Sequence, residues 1–276
     1  MTKRSIFPLG LLAAAAITGA FLLLPLIAIF TRIPLSTLVA QLGNRVVLDA
    51  LVVSLKTTLI AQAIILLFGT PTAYLVATRQ FRGRSLALTL IELPLVLPPA
   101  VAGIGLFAAF GRSGLLGSTL RVFGLELPFT QTAVVLAVAF VASPLYVRQA
   151  IASFESVDQS LVDASRTLGA SPARTFGRIA LPLALGGLGA GAALAFARGL
   201  GEFGATIMFA GSFQGVTQTL PLAIYAEFEN KFEVALAIGG LLVVISALLL
   251  VVLKVRLGWK SSRSTSLFLF APSRSS

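Results

Sequence analysis

The stretch Val234–Leu253, VALAIGGLLVVISALLLVVL, runs for twenty residues without a charge between Glu233 and Lys254. A helix of about 20 residues crosses the roughly 30 Å hydrocarbon core of a bilayer, so this stretch predicts a membrane-spanning helix. The whole chain has the same character, since 57% of its 276 residues are hydrophobic and 11% are charged. Soluble domains average about 25% charged residues. The composition therefore predicts an all-α membrane protein.

Five further apolar stretches of similar length lie between charged residues. They are Ile6–Thr31, Thr57–Thr78, Ser85–Gly111 (interrupted only by Glu92), Leu127–Val147 and Ile179–Ala197. We predict six transmembrane helices. The first is expected to be retained, because its apolar run exceeds the about 7–15 residues of a signal peptide and no small-residue cleavage site follows it. Phe203–Ala226 is also uncharged, but its six Ser, Thr and Gln side chains make it too polar to face lipid. Instead of a seventh span, we predict the end of helix five followed by an irregular segment that is shielded by protein.

The basic residues predict the orientation in the membrane. With six spans, fourteen Lys and Arg residues near helix ends fall on the side of both termini and five fall on the other side. Cytoplasmic loops carry the excess of basic residues, so both termini are expected in the cytoplasm. The basic surplus is expected at the membrane surface, with membrane lipid as a partner. We expect a permease domain over residues 1–256 and a flexible cytoplasmic tail over 257–276, within which the apolar patch Leu267–Phe270 has no explanation.

The chain contains neither histidine nor cysteine. Imidazole and thiolate metal ligands, disulfides, a His general base and a Cys nucleophile are therefore excluded. The phosphate-binding pattern G-x-x-x-x-G-K-[ST] is also missing from the sequence. We expect no catalytic residue, no metal and no cofactor on this chain, and no nucleic acid among its partners.

One long cytoplasmic connection, about residues 149–182 between spans four and five, has a helical pattern. Ser156-x-x-Gln159 predicts a capping box that opens a short helix. Gly169 is placed to end that helix at C′. Ser171-Pro172 then predicts the N-cap and first residue of a second short helix. Two short helices would form a compact protrusion, either as an ordinary amphipathic loop or as a docking element for a soluble partner.

This connection resembles the EAA loop of importer permeases of the ATP-binding-cassette class. Asp163-Ala164-Ser165 is followed after three residues by Gly169, and after nine more by Ile179-Ala180-Leu181-Pro182. The family pattern has Glu at the first position and Ala at the third. The resemblance implies a coupling helix that sits in a groove of a separate ATPase subunit, with Asp163, Ala164 and Gly169 in the contact. Ser165, Ile179, Leu181 and Pro182 complete the coupling segment.

Two stretches predict an unusual membrane interior. Arg198 and Glu202 are four residues apart, so they can pair on one face of a helix. Charges within a span usually face a bundle interior or a wet cavity. Prolines in Leu93–Pro99 must break or kink span three. We expect spans three and five to line a translocation path or gate, although an ion pair and a kink that serve only packing are the alternatives. The residues assigned to the path are Pro94, Pro98, Pro99, Arg198, Gly199, Gly201, Glu202, Gly204 and Thr206.

The segments Ala197–Gly211 and Thr217–Tyr225 resemble the molybdate permease subunits of ATP-binding-cassette oxyanion importers. The resemblance implies a homodimer in the cell inner membrane, two cytoplasmic ATP-binding subunits and an extracytoplasmic oxyanion-binding protein. Molybdate or tungstate is the expected cargo. One departure is Ser212–Val216, where the family more usually has Asn-x-x-Gly-Arg, and this removes an external arginine.

The sequence leaves three alternative functions open. Sulfate permeases share the Gly-Glu-Phe-Gly-Ala-Thr core, so sulfate is the second choice of cargo. A carrier or channel driven by an ion gradient would leave the spacing of Asp163–Pro182 unexplained. A membrane enzyme is the least favoured, because no group of Asp, Glu, Ser, Thr, Lys or Tyr converges in the sequence.

Overall fold

The computed structural model describes residues 6–32 and 34–261, and within these ranges the chain is helical without a strand. The α-helices are α1 Ile6–Thr31, α2 Leu35–Gln41, α3 Arg45–Thr78, α4 Arg84–Val96, α5 Pro99–Phe110, α6 Gly117–Val122, α7 Gln131–Glu155, α8 Gln159–Thr167, α9 Pro172–Thr175, α10 Leu181–Leu200, α11 Gly204–Ala210, α12 Leu220–Glu227 and α13 Phe232–Ser261. A π-helical turn, Phe176–Ala180, joins α9 to α10.

Among the described residues, five helices are long and apolar enough to cross a membrane, namely α1, α3, α7, α13 and the continuous rod from α9 to α10. The pair α4 and α5 passes the same test when taken as one span, with a bend of 113° between the two halves. The predicted six spans are therefore consistent with the fold. α3 begins at Arg45 rather than near Thr57, because Asn44 caps it by accepting a hydrogen bond from the Val46 N–H.

Helix α7 lies at the centre of the bundle, with α3 and α10 packed along it. Small residues allow this close approach. A Cβ on Gly69 would lie 2.9 Å from the Tyr146 ring, and a Cβ on Gly187 would lie within 2.8 Å of two side-chain atoms of Ser153. The pattern Gly187-x-x-x-Gly191 thus serves the contact between α10 and α7, as small-x-x-x-small patterns do in membranes.

The third span is broken rather than merely kinked. Pro94 lies inside α4, and the helix ends two residues later at Val96, because Pro98 forces an extended backbone at Leu97 (φ −64°, ψ 134°). α5 then starts with Pro99 at its first position. α4 packs near the end of α7 and α5 near its beginning, so together they follow α7 from one end to the other.

The uncharged segment Phe203–Ala226 is mostly helical, and protein shields it only in part. Thr217, Gln218 and Thr219 are buried, but residues 213–216 are exposed, so the prediction of shielding is wrong there. α11 and α12 occupy its two ends, and only residues 211–219 are irregular. Two left-handed glycines, Gly211 (φ 68°) and Gly215 (φ 72°), turn the chain there. The first part is helical, as predicted, but it is a separate helix, since α10 ends at Leu200 and α11 begins at Gly204. The prediction of an irregular segment is wrong for residues 220–226, which belong to α12 and satisfy their backbone hydrogen bonds within that helix.

Helix α13 continues through residues 257–261. The remainder of the predicted tail, with the patch Leu267–Phe270, lies outside the described residues.

Candidate functional site

The connection between α7 and α10 forms a compact protrusion, which we call the knob (residues 156–180). Its first helix, α8, is capped by Asp158, whose carboxylate accepts a hydrogen bond from the Ser160 N–H at 2.9 Å. The predicted capping box at Ser156 is wrong. Ser156 keeps a helical backbone (φ −79°, ψ −8°) at the end of α7, and its hydroxyl donates to the Ser153 carbonyl at 2.8 Å.

The turn of the knob depends on Gly169. Its φ of +77° is in the left-handed region that favours glycine. The Gly169 N–H donates to the Arg166 carbonyl at 2.9 Å, and the Ala170 N–H donates to the Ser165 carbonyl at 3.0 Å. These two bonds form a Schellman C-cap, so the predicted end of the helix is confirmed.

The second arm of the knob begins as predicted, because the Ser171 hydroxyl accepts from the Arg174 N–H at 3.4 Å. It is not a separate short helix, however. After α9 the chain passes through the π-helical turn into α10, so this arm is the first part of span five. Ile179 and Leu181 are half-buried at this entry and Pro182 occupies the first turn of α10.

A buried pair of hydroxyls joins the two arms of the knob. Ser165 Oγ lies 2.9 Å from Thr175 Oγ1, and both side chains are buried. Ser165, which departs from the family pattern, thus has a structural partner. Asp163 and Ala164 are exposed on the outside of the same helix, where the Asp163 carboxylate accepts a hydrogen bond from Gln159 Nε2 at 3.1 Å.

Aromatic and ionic contacts join the helices at the end of the bundle that carries the knob. The rings of Tyr74 and Phe176 are 4.7 Å apart, and those of Tyr74 and Phe154 are 5.2 Å apart. Arg84 Nη2 lies 2.6 Å from Glu155 Oε1 and therefore ties α4 to α7. Sequence reasoning did not find these contacts, because each joins residues more than twenty positions apart.

The predicted ion pair in span five is confirmed. Arg198 Nη1 lies 2.6 Å from Glu202 Oε2. The other carboxylate oxygen, Oε1, accepts a hydrogen bond from the Ala205 N–H at 2.8 Å, at the start of α11. The Glu202 side chain is 1% exposed and the Arg198 side chain 34% exposed. Because both carboxylate oxygens are engaged, Glu202 links the end of α10 to the beginning of α11.

The start of α5 contacts the start of α11, so spans three and five meet near the middle of the bundle. A Cβ on Gly204 would lie 2.6 Å from Pro99 Cβ, and a Cβ on Gly103 would lie 2.6 Å from the Ala205 carbonyl oxygen. Gly199 packs against Val138 of α7, whereas Gly201 is exposed. Pro98 is exposed at the break of span three, and Pro94 lies further along α4.

Three polar groups in this region are buried without a hydrogen-bond partner among the described residues. They are Gln62 Nε2, Thr206 Oγ1 and Thr219 Oγ1. Unpaired polar groups cost free energy inside a protein, so they mark places where water or a passing polar ligand can bind. Gln62 was missed, although it is the one amide side chain in the apolar stretch Thr57–Thr78. Thr206 was in the predicted set.

Spans three and four are also joined by an ion pair, between Arg148 Nε and Glu92 Oε1 at 3.1 Å. Within residues 6–32 and 34–261, no three His, Cys, Asp or Glu side chains come together in a way that could hold a metal ion.

The chain is similar in sequence to known membrane transport proteins. Residues 66–258 match the family described as binding-protein-dependent transport system inner membrane component. The molybdenum transport system permease protein ModB of Mycobacterium tuberculosis is 44% identical over 236 residues, which cover 84% of this chain and 89% of that protein. ModB of Escherichia coli K12 is 44% identical over 183 residues, covering 66% of this chain and 80% of that protein.

A sulfate transport system permease protein, CysW of Synechococcus elongatus, is 33% identical over 272 residues, covering 95% of this chain and 93% of that protein. Among solved structures, a bacterial ABC transporter involved in the import of the acidic polysaccharide alginate aligns over 96% of this chain and 98% of that chain with a TM-score of 0.66 at 18% identity. The MetNI methionine ABC transporter aligns over 77% and 94% with a TM-score of 0.58 at 17% identity. At these identities the structures support the fold alone.

Proposed function

The chain belongs to the family of binding-protein-dependent transport system inner membrane components, and we propose on that premise that it carries molybdate or tungstate across the membrane as the permease subunit of an ATP-driven importer. The observation that carries the choice of cargo is the 44% identity to molybdenum permeases over most of the chain, against 33% to a sulfate permease. The chain is a transport component and performs no bond chemistry. Molybdate and tungstate have nearly the same size and charge, so the proposal covers both.

The interior of the bundle suits a divalent oxyanion in transit. The Arg198–Glu202 pair is neutral overall, so no net negative charge in that pair repels the cargo. Gln62 Nε2 and the hydroxyls of Thr206 and Thr219 are buried donors without partners among the described residues. Neutral donors of this kind can bind an oxyanion weakly enough to release it. Selectivity would reside mainly in the external binding protein.

The energy for transport would come from two cytoplasmic ATP-binding subunits that contact the knob. Asp163 and Ala164 are exposed on its surface, and Gly169 is exposed at its turn. The second arm of the knob is continuous with α10, so a movement of the knob would tilt the helix that carries Arg198 and ends just before Glu202. Fourteen basic residues on the knob side against five on the other support a cytoplasmic position for both termini and the knob.

One chain does not enclose a gated path easily, so we propose that two copies form a symmetric dimer. The exposed small residue Gly201 and the half-buried Arg198 lie on a face of α10 that a second copy can complete. The exposed break at Pro98–Pro99 and the exposed Gly201 would line the path between the two copies, whereas Gly199 and Gly204 allow close packing behind it.

Uptake into proteoliposomes tests the cargo. The chain would be reconstituted with its ATP-binding subunit and its binding protein, and radioactive molybdate uptake would be measured with and without ATP. We expect ATP-dependent uptake that excess tungstate abolishes and excess sulfate leaves at least half intact. ATP-dependent sulfate uptake without molybdate uptake would overturn the choice of cargo, and uptake of either anion without the ATP-binding subunit would overturn the importer assignment.

A further inference from the structure

The connection between α5 and α7, residues 111–129, folds into a rigid unit that we call the foot. It lies at the end of α7 opposite the knob, since α7 begins at Gln131 and ends at Glu155. Glycines recur in it at every third position. A Cβ on Gly111 or on Gly114 would lie 2.4 Å from a carbonyl oxygen of α5, and a Cβ on Gly117 would lie 2.2 Å from the Gly111 carbonyl oxygen. A larger residue at any of these three positions would clash with the backbone, so the turn requires glycine there.

This turn folds back onto the last turn of α5. The Leu115 N–H donates to the Ala108 carbonyl at 3.0 Å, and the Leu116 N–H donates to the Ala109 carbonyl at 2.8 Å. The two bonds satisfy carbonyls that a helix end otherwise leaves without a partner. With its backbone so engaged, the foot holds the side chains of both leucines away from the bundle.

The foot presents large apolar side chains that the rest of the described chain leaves uncovered. The exposed fractions are 87% for Leu115, 83% for Val122, 74% for Phe123, 50% for Leu125 and 46% for Leu116. In a connection that faces water, five such side chains within eleven residues would be unfavourable. Exposed apolar patches of this kind mark protein or membrane contacts.

A cavity of about 310 Å³ lies between the foot and α5. Its lining includes the rings of Phe107, Phe110 and Phe129 and the charged side chains of Arg112, Arg121 and Glu126. An apolar channel beside two guanidinium groups fits an amphipathic anion. Arg112 Nη2 is paired with Glu126 Oε1 at 2.8 Å, whereas no described carboxylate lies within 4.0 Å of Arg121.

We propose that the foot is a phospholipid site at the membrane surface opposite the knob. A headgroup phosphate would bind Arg121, with Arg112 beside it, and an acyl chain would lie along Phe107, Phe110 and Phe129. Leu115, Val122 and Phe123 would insert among neighbouring lipids. The position favours lipid over a protein partner, because the foot joins the ends of two membrane-spanning elements and so lies where headgroups and acyl chains meet. Guanidinium groups suit phosphate, with which they form bidentate hydrogen bonds.

Tryptophan quenching tests this proposal. The chain has one Trp, so W259F gives a background free of indole fluorescence. In that background L115W reports on the foot, and L168W on the knob is its matched control, since both leucines are 87% exposed. Each full-length variant would be placed in nanodiscs whose phospholipid acyl chains are brominated close to the headgroup.

We expect the brominated lipid to quench L115W at least twofold more than L168W, and soluble acrylamide to quench L168W more than L115W. V122W gives a second probe should L115W not reconstitute, since Val122 is 83% exposed. Equal acrylamide quenching of the foot and the knob would overturn the proposal. The proposal would also be overturned if L115W were protected from acrylamide only after a binding protein is added. That result would assign the foot to a protein partner.

The headgroup is tested by varying the charge. At a low mole fraction of brominated phosphatidylglycerol in ordinary phosphatidylcholine, L115W should be quenched more than with brominated phosphatidylcholine at the same fraction. R121Q should remove this preference, and R45Q, a control at an arginine of α3 that is 91% exposed, should keep it. A preference that survives R121Q would overturn the assignment of the phosphate to Arg121. None of these readouts depends on transport, so failure here is distinct from failure of the proposed cargo.

Discussion

The knob is held together by interactions different from those at the contact of α5 with α11, which we call the crossing and to which the Arg198–Glu202 pair links α10. The knob is stabilised by local polar contacts, such as the Asp158 cap and the Gly169 turn, each within about five residues along the chain. The crossing depends on distant glycines and on one ion pair of which the carboxylate is buried. Local caps contribute about 1 kcal/mol each, whereas an unpaired charge or an overpacked contact in the interior costs more. Substitutions in the crossing should therefore have larger effects than those in the knob.

The largest effect is expected at Glu202. Glu202→Ala would leave Arg198 without its partner in the membrane interior, and we expect a loss of about 3 kcal/mol in unfolding free energy, because breaking a buried pair leaves one charge uncompensated. Thermal unfolding of the purified complex in detergent measures this loss.

The matched control for that change is the double variant R198M/E202Q, which removes both charges and keeps an acceptor for the Ala205 N–H. It should regain most of the stability of the wild-type chain. Molybdate uptake by the double variant then separates a role of the pair in transport from a role in packing. A stable double variant with normal molybdate uptake would show that the pair serves packing only.

A smaller effect is expected at the contact between α5 and α11. Gly103→Ala would place a methyl group 2.6 Å from the Ala205 carbonyl oxygen, and overpacking of this kind costs about 1–3 kcal/mol. Gly105→Ala on the same helix meets nothing within 4 Å. It should therefore be neutral or stabilising by up to about 1 kcal/mol, as Ala is the better helix former. Equal unfolding temperatures for the two variants would contradict the close approach.

In the knob, Ser165→Ala should cost about 1 kcal/mol, because it leaves the buried Thr175 hydroxyl without its partner. Hydrogen exchange of the knob amides should rise. The double variant S165A/T175V removes both hydroxyls and should return exchange toward the wild-type rate. Unchanged exchange in S165A would indicate that the two arms are held by other contacts.

The smallest effect is the response of the knob to acid. The hydrogen bonds that Ser160 donates hold the pKa of the exposed Asp158 carboxyl below its usual range. A carboxyl whose pKa is lowered on folding adds stability above its unfolded pKa and loses it as the pH falls through the folded value. Exchange of the first α8 amides should therefore rise only at strongly acid pH. Asp158→Asn keeps an acceptor at the cap and should abolish the pH dependence.

The two regions also differ in how far they could be predicted. The knob is formed by contacts between residues that are close in sequence. The helix end at Gly169, the cap at Ser171 and the two helical arms could therefore be predicted. The capping box failed because Ser156 still belongs to α7, which no local pattern reveals. The six spans followed from hydropathy, and the pairing of Arg198 with Glu202 from helical spacing.

The parts that could not be predicted depend on distant residues. The 113° bend at Pro98 depends on where α5 meets α11, and prolines alone indicate only that a helix is disturbed. The contacts of Arg84 with Glu155, and of Arg148 with Glu92, join different spans. Of the buried hydrogen-bond donors near the path, only Thr206 was predicted. A single glutamine such as Gln62 in an apolar stretch is a weak signal.

The central claim is that the knob is the surface on which an ATP-binding subunit docks. Ala164→Arg tests it most directly, because Ala164 is exposed in the middle of α8 and arginine is a good helix former, whereas any side chain at Gly169 would strain a backbone with φ of +77°. Co-purification of the ATP-binding subunit with the tagged permease is the measurement, with Ala164→Ser as the control. We predict that the arginine variant loses the subunit and ATP-dependent uptake while the serine variant keeps both. An arginine variant that retains the subunit and transports normally would contradict the claim.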